Sequence, residues 1–462
     1  MPQSVYDTLP PLSAQLQAVI QEGWEQEVLS QLPADYEQQA RQSGAFVRAR
    51  ALTSVADLLR GVLAYVLCAP SFRHLGAWAV LIGLANLSHV AWHKRLQKAR
   101  PFLLWLLSEL LAVPALPSQV PAQRIVLVDA TRLKEPGGTG DDWRVHLGYD
   151  LLAGRLLDVK VSDQHTAEGF TLFGWQAGDL VVADRGYCRR SQLAFVLGCG
   201  AQLVVRLAPS QVPLLAGEGQ PFDVLAWLKA LGSGQASCEV AFEHQGQRFA
   251  GRLIACALPE EAAERARAKE RKKAAKQQRQ LKEETLYLCG WLLLFSTLPP
   301  TDWSDELVLA LYRARWQIEL VIKRMKGVLK LAQLRGQTAL TNEATVLALL
   351  LAWALQQGEM QHAREGLTQA AAQCTLSAES GPTLPTVSSW TVTALGVQTL
   401  RLLIQGYWTF ARLRNCLPFL RRFLGSRRRQ RVHQESTMRR QLLLHLGLSD
   451  LDSSLLFSFS SA

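Results

Sequence analysis

Residues 305–331 read DELVLALYRARWQIELVIKRMKGVLKL, and their periodicity predicts a single amphipathic helix. At about 100° per residue, one face is apolar, and an arc of roughly 80° on the other face gathers a carboxylate, a phenol and three cations. These residues are Tyr312, Arg315, Glu319, Lys323 and Lys326. Taken alone, the polar face is equally typical of a solvated surface held by ion pairs between residues four apart. The segments before it favour a functional role.

The composition predicts a globular, basic protein. The 462 residues are enough for two to four domains, and 48% of them are hydrophobic against 19% charged. The formal net charge of +11 favours a polyanionic partner, because clustered Lys and Arg release counterions from phosphates. An anionic membrane surface is the other candidate, but no lipid-binding motif stands out and no apolar run reaches the length of a spanning helix. The eight cysteines form no CxxC pair, and the N-terminus does not resemble a secretory signal, which together predict a cytoplasmic location.

Residues 1–115 predict an all-helical N-terminal domain. Its segments 71–81 and 88–111 form a helix, a short Gly-containing turn and a second helix that carries His89, Trp92, His93, Lys94, Arg95, Lys98 and Arg100. This layout is typical of a helix-turn-helix whose second helix binds in a DNA major groove. The alternative is an ordinary helical hairpin with a basic edge.

The pattern then changes to that of a mixed α/β sheet. The run RIVLVDA at 124–130 predicts a buried strand that ends at Asp129, and DLVVAD at 179–184 predicts a second that ends at Asp184. Further strands are expected at 143–150, 154–163 and 202–207, with helices at 166–175 and 189–197.

Residues 208–285 interrupt this sheet with Gly-rich turns, two strands and a highly charged stretch that predicts a solvated helix or hairpin arm. A strand at 290–299 leads back to the helix quoted first, and the chain after residue 401 is rich in arginine. The expected domains are therefore 1–115 (helical), 116–207 (first part of the core), 208–285 (β-rich insertion), 286–340 (second part of the core) and 341–462 (helical and basic, for DNA contact or dimerisation).

Three carboxylates could form a metal site. Asp129 and Asp184 follow buried strands, where a carboxylate is costly to desolvate unless it is paired or bound to a metal, and Glu319 lies in the cation-bearing helix. Such a set could hold two magnesium ions roughly 4 Å apart, which would activate the attacking oxygen and stabilise the leaving oxygen of a phosphodiester. For any one of these residues alone, a turn or capping role is the simpler interpretation.

The motifs VDATRL, with Asp129, and VVADRGY, with Asp184, resemble those of bacterial insertion-sequence DDE transposases of the IS-four group. Tyr312, Arg315, Glu319, Lys323 and Lys326 match that group's signature in residue type and spacing, as does RWQIE around the glutamate. The resemblance implies an RNase H-like core with an insertion between the second aspartate and the glutamate. It also implies that Asp129, Asp184 and Glu319 bind two Mg²⁺ ions, with Mn²⁺ as a possible substitute.

By the same resemblance, Tyr312, Arg315, Lys323 and Lys326 would hold phosphates near the cleaved DNA end, and Trp316 would either stack on a displaced base or belong to the core. The implied partners are double-stranded DNA and a second copy of the chain, with no membrane. The expected function is magnesium-dependent cleavage and strand transfer at the terminal inverted repeats of an insertion sequence. The alternatives are an RNase H-like DNA nuclease without strand transfer and a domesticated DNA-binding protein without catalysis.

Overall fold

The computed structural model describes residues 22–112, 124–138, 140–375 and 388–406, with backbone alone at residue 359 and over 361–375. The arginine-rich C-terminal segment and the first part of the N-terminal region lie outside the described residues.

The N-terminal part of the chain is helical, as predicted. Its helices are α1 (Tyr36–Gln42), α2 (Val55–Leu67), α3 (Phe72–Leu81) and α4 (His89–Leu111). Three of them begin at a serine whose hydroxyl accepts a hydrogen bond from the backbone N–H three residues later, namely Ser54, Ser71 and Ser88. At Ser54 the Asp57 carboxylate returns the bond, which completes a capping box and fixes where α2 starts.

One eight-stranded sheet forms the centre of the molecule. Its strands are β1 (Ile125–Leu133), β2 (Trp143–Asp150), β3 (Arg155–Asp163), β4 (Leu180–Ala183), β5 (Gln202–Arg206), β6 (Gln235–His244), β7 (Gln247–Ala257) and β8 (Trp291–Ser296). Their spatial order is β3-β2-β1-β4-β5-β8-β7-β6. The β1–β4 and β4–β5 pairs are parallel and the others are antiparallel, which gives the mixed sheet of an RNase H-like core.

The strands of the predicted insertion extend this same sheet. The hairpin β6–β7 pairs with β8, which itself pairs with β5, so the insertion has no separate sheet within the described residues. Three helices surround these strands: α6 (Val224–Leu231), α7 (Glu260–Lys276) and α8 (Glu283–Leu288). The charged stretch, expected as a helix or a hairpin arm, is the helix α7. Between β4 and β5 lies α5 (Arg190–Gly198), close to its predicted bounds.

The helix predicted at 166–175 is wrong. Only a single 3₁₀ turn, Phe170–Leu172, forms there. The Asp163 carboxylate accepts bonds from the backbone of His165 and Thr166, and Gln192 Oε1 accepts from Phe170 at 2.6 Å. Gln192 takes a backbone donor that a helix through Phe170 would otherwise use, so the segment stays irregular.

The quoted stretch forms two helices, α9 (Asp305–Ala314) and α10 (Trp316–Gly327), and not one. Arg315 lies between them. Its N–H donates to Tyr312 and its carbonyl accepts from Ile318, in both cases three residues away, so the chain tightens for one turn at this position. The predicted apolar face is confirmed, because Leu311, Ile318 and Met325 are each fully buried.

Two long C-terminal helices, α11 (Ala339–Thr375) and α12 (Ser389–Gln405), pack against the N-terminal helices. Helix α11 runs along α4 and α2, and the buried Arg60 of α2 donates to the backbone carbonyls of Ile404 at 2.9 Å and Leu403 at 3.4 Å. Both ends of the described chain thus share one core that covers one face of the sheet. The segment Ala339–Gly358 is apolar and long enough to span a membrane, but most of it is buried inside this core, as in the central helix of a globular protein.

Candidate active site

The register of the sheet brings Asp129 and Asp184 together. In the parallel pair β1–β4, Val128 is the partner of Ala183, so the next residue of each strand is an aspartate. Alternation along the strands puts both aspartates on the face of Ile125 and Leu180, the face that the helical layer covers. Strand β4 ends at this point while β1 continues to Leu133, past its predicted end, so the aspartates lie at the edge of the parallel strands where ligands commonly bind.

Glu319 reaches the same site through Arg315. Helix α10 packs on β1, and the Arg315 guanidinium lies between two of the carboxylates. Its Nη2 is 2.7 Å from Glu319 Oε1, and its Nη1 is 3.6 Å from Asp129 Oδ2. All three side chains are largely buried, with exposed fractions of 14% for Arg315, 19% for Asp129 and 27% for Glu319. The structure therefore places Asp129 and Glu319 on one guanidinium, with Asp184 at the end of the neighbouring strand.

Burial changes the acidity of Asp129. The pKa of this carboxyl is raised from 3.8 to about 7, chiefly by burial; the Ala130 N–H bond and the charge of Arg315 oppose this rise, and the charges of Asp184 and Glu319 add to it. The charge of Arg315, 3.6 Å away, therefore does not offset the cost of burying an ionised Asp129. Asp184 is partly exposed, and its Oδ1 accepts a bond from the Gly186 N–H at 2.8 Å.

The other residues of the signature surround this group. Arg315 stacks over the Tyr312 ring at 5.7 Å, and Lys323 Nζ lies 4.3 Å from the centre of the Trp316 ring. Lys326 Nζ is 3.4 Å from the Arg132 carbonyl oxygen, and burial lowers its pKa. Trp316 is 36% exposed. Its ring is therefore on the surface, in contact with a cation, and is not part of the core.

The donor set suits a hard divalent cation, since Asp129, Asp184 and Glu319 offer only carboxylate oxygens. The site also contains a desolvated carboxyl whose pKa a bound cation would lower again. In the described part of the chain, however, no three acidic, histidine or cysteine side chains already stand together as a finished ligand set. Arg315 occupies the space between Asp129 and Glu319 and would have to share these oxygens with a metal.

Two further residues near the aspartates were not found from the sequence. The Glu168 carboxylate lies close to Gly186: its Oε2 would be 2.6 Å from a Cβ added at that position. Burial raises the pKa of Glu168, and the negative charge of Asp184 raises it further. Tyr187 is fully buried, and its hydroxyl has no hydrogen-bond partner in the part of the chain that the structure describes. The motif VVADRGY contained Tyr187 but gave no reason to single it out, and Glu168 belongs to the segment wrongly predicted as a helix.

The candidate DNA-binding residues of the N-terminal hairpin divide into two groups. Lys94 is exposed and Arg95 is half-buried on α4, and neither makes an ion pair with the carboxylates in the part of the chain that the structure describes. Trp92 is 1% exposed, His93 bonds to Thr341 at 2.7 Å, and Arg100 pairs with Glu343. These last three side chains contact α11 or the core, and the DNA contact predicted for this helix stays a prediction.

Comparison with known proteins agrees with this architecture. Residues 121–355 match the family model described as the transposase DDE domain, which covers about half of the chain. A protein of Escherichia coli strain K12 named as transposase InsL for insertion sequence element IS186A is 35% identical over 328 residues, which are 69% of this chain and 89% of that protein. The Escherichia coli transposase for insertion sequence element IS421 is 35% identical over 332 residues, with the same coverage. The chain therefore belongs to the DDE transposases of bacterial insertion sequences.

Proposed function

We propose that this transposase binds the terminal inverted repeats of its own insertion sequence, cuts the DNA there and joins the freed ends to a target, with magnesium as its metal. Membership of the family supports DNA transposition and the use of a divalent metal. One observation carries the finer proposal: two aspartates at adjacent parallel strand ends share a partly buried site with Glu319, and Arg315 joins the glutamate to one of them.

Asp129, Asp184 and Glu319 would hold the metal. When bound, magnesium would activate the attacking oxygen and stabilise the leaving oxygen of the phosphodiester. Lys323 and Lys326 would bind the phosphates that flank the reacting bond. Trp316 has an exposed ring on which a base at the DNA end could stack. The same DNA would enter from a basic surface that includes Lys94 and Arg95, and two copies of the chain would bring two ends together in the bacterial cytoplasm.

The direct test uses Glu319→Gln, which keeps the size of the side chain and removes its charge. We expect wild-type protein with magnesium to nick and join DNA that carries the element's ends, and the variant to bind this DNA normally while losing cleavage. A matched control is Glu306→Gln, since Glu306 lies on the neighbouring α9 and binds Gln235 at 3.1 Å, away from the carboxylates. Equal loss of binding and cleavage in Glu319→Gln would contradict a catalytic role for this residue.

The two alternatives give different results in the same assay. Cleavage without joined products would identify a nuclease. A shift of the DNA in a gel with neither product would identify a protein that only binds DNA. Inverted repeats in the DNA that flanks the coding region would supply the substrate and would themselves support the proposal.

A further inference from the structure

A second basic site lies directly beyond Asp184. It is a cleft of 290 Å³, or roughly ten water volumes at about 30 Å³ each. Five charged residues line it: Arg132, Arg144, Arg185, Arg189 and Glu168. The cleft therefore has an excess of three positive charges next to the carboxylates, and it is large enough for a phosphate with its sugar.

The arginines of this cleft are held in place by the protein backbone. Arg144 Nη1 donates to the Thr166 carbonyl at 2.6 Å, and Arg189 Nη2 donates to the Glu168 carbonyl. Both arginines also line the cleft. A guanidinium that is fixed by one bond and still lines a cleft is well suited to bind an anion, because little side-chain freedom remains to be lost.

A further polar group near the cleft lacks a partner. The Tyr187 hydroxyl is buried and has no hydrogen-bond partner among the described residues, and the charges of Glu168, Asp129 and Asp184 act on it. Buried polar groups are nearly always bonded, so this phenol indicates that an ordered water completes its hydrogen bonding.

The cations of α10 and the arginines of the cleft form one continuous basic surface. Lys326 of α10 contacts the carbonyl of Arg132, and Arg132 lines the cleft. A DNA strand with its reacting phosphate at Asp129 and Asp184 would have α10 on one side and the cleft on the other.

We propose that the cleft is a phosphate subsite for the DNA that flanks the cleaved bond, outside the element end. This inference rests on the proposed function and names the substrate of one side of the site. The flanking strand would place a backbone phosphate among Arg132, Arg144, Arg185 and Arg189. Glu168 would keep these cations aligned and limit their net charge, so that the strand can leave after cleavage.

The test compares two duplexes without metal, so that no cleavage occurs. One duplex ends at the cleavage site, and the other continues for one helical turn into flanking DNA. In Arg185→Gln we expect the affinity for the longer duplex to fall about fivefold. The slope of log affinity against log salt concentration should fall in magnitude by about one for this duplex, and neither quantity should change for the shorter duplex. Arg185 is exposed and makes no side-chain bond among the described residues, so its loss should leave the fold intact. The control is Arg248→Gln, an exposed arginine on β7 that donates to Gly217 at 2.7 Å and should change neither affinity.

A second measurement needs no variant. Phenylglyoxal modifies accessible guanidiniums, and mass spectrometry locates the product. We expect the longer duplex to protect Arg185 and the shorter one to leave it reactive. Equal protection by both duplexes, or equal loss of affinity for both in Arg185→Gln, would overturn the subsite. The proposed function would fail through another result, namely wild-type protein that binds the element end no more tightly than a scrambled duplex.

Discussion

Replacing Asp129 by asparagine should reveal how much stability the free protein loses by charging this carboxyl. In the folded protein the pKa of Asp129 is about 7, against an ordinary value of 3.8. Between these two values the folded state keeps a proton that the unfolded state has released. The free energy of unfolding of the wild type therefore falls as pH rises from about 4 to about 7 and is level above that range.

The structure sets the size of this effect. A rise of the pKa from 3.8 to about 7 corresponds to about 4 kcal/mol once the group is ionised in both states, and about 1.6 kcal/mol of it is already lost at pH 5. An asparagine does not titrate. Between pH 5 and pH 8 the wild type should therefore lose about 2.5 kcal/mol relative to Asp129→Asn. Titrating groups that do not interact with Asp129 are common to both proteins and cancel in the difference.

The assay is urea unfolding followed by tryptophan fluorescence, at pH 5 and pH 8, with a chelator present. Asp302→Asn serves as the control, because it makes the same substitution at an exposed position. Added magnesium at pH 8 should restore much of the wild type's deficit and stabilise Asp129→Asn less, since the variant keeps only two of the three carboxylates. A difference that stays level with pH, or that favours the wild type at pH 8, would refute the reasoning.

Three other substitutions test the packing and the phosphate contacts. Arg60→Met should cost about 2 kcal/mol in urea unfolding, because it leaves the last carbonyls of α12 buried without their donor; an unchanged midpoint would contradict the shared core. Gly61→Ala should cost about 1–3 kcal/mol, since its methyl group would overlap the buried Trp92 ring, whereas Gly198→Ala meets no atom within 4 Å and should be neutral or slightly stabilising. Lys323→Met should lower DNA cleavage at least tenfold with little effect on unfolding, because this cation is exposed; full activity would remove Lys323 from the phosphate contacts.

The regular elements were predictable because each has a strong local signal. The buried strands around Asp129 and Asp184 are short apolar runs, and the serine caps of the N-terminal helices start where the periodicity begins. The meeting of the two aspartates was also accessible, because the ends of neighbouring parallel strands share one edge of a sheet.

What could not be predicted depends on contacts between distant residues. The insertion joins the central sheet because β7 pairs with β8. The composition of a strand does not indicate which other strand it will pair with. The segment after Asp163 fails to form a helix because Gln192, far along the chain, binds its backbone. Glu168 approaches Asp184 only as a result of that irregular path, which is why a fourth carboxylate beside the aspartates was missed.

Arg315 illustrates the same limit at the scale of one side chain. Its pairing with Glu319 follows from a spacing of four, which any helix would provide. Its contact with Asp129 depends on how α10 packs on β1, and the sequence offers no sign of it. A guanidinium has five N–H donors in a planar fork, and only two of its nitrogens face these carboxylates. Donors therefore remain for a phosphate while Glu319 stays bound. Arg315 thus bridges the two carboxylates and keeps further N–H donors, an arrangement that the three donors of a lysine at this position would not reproduce with the same geometry.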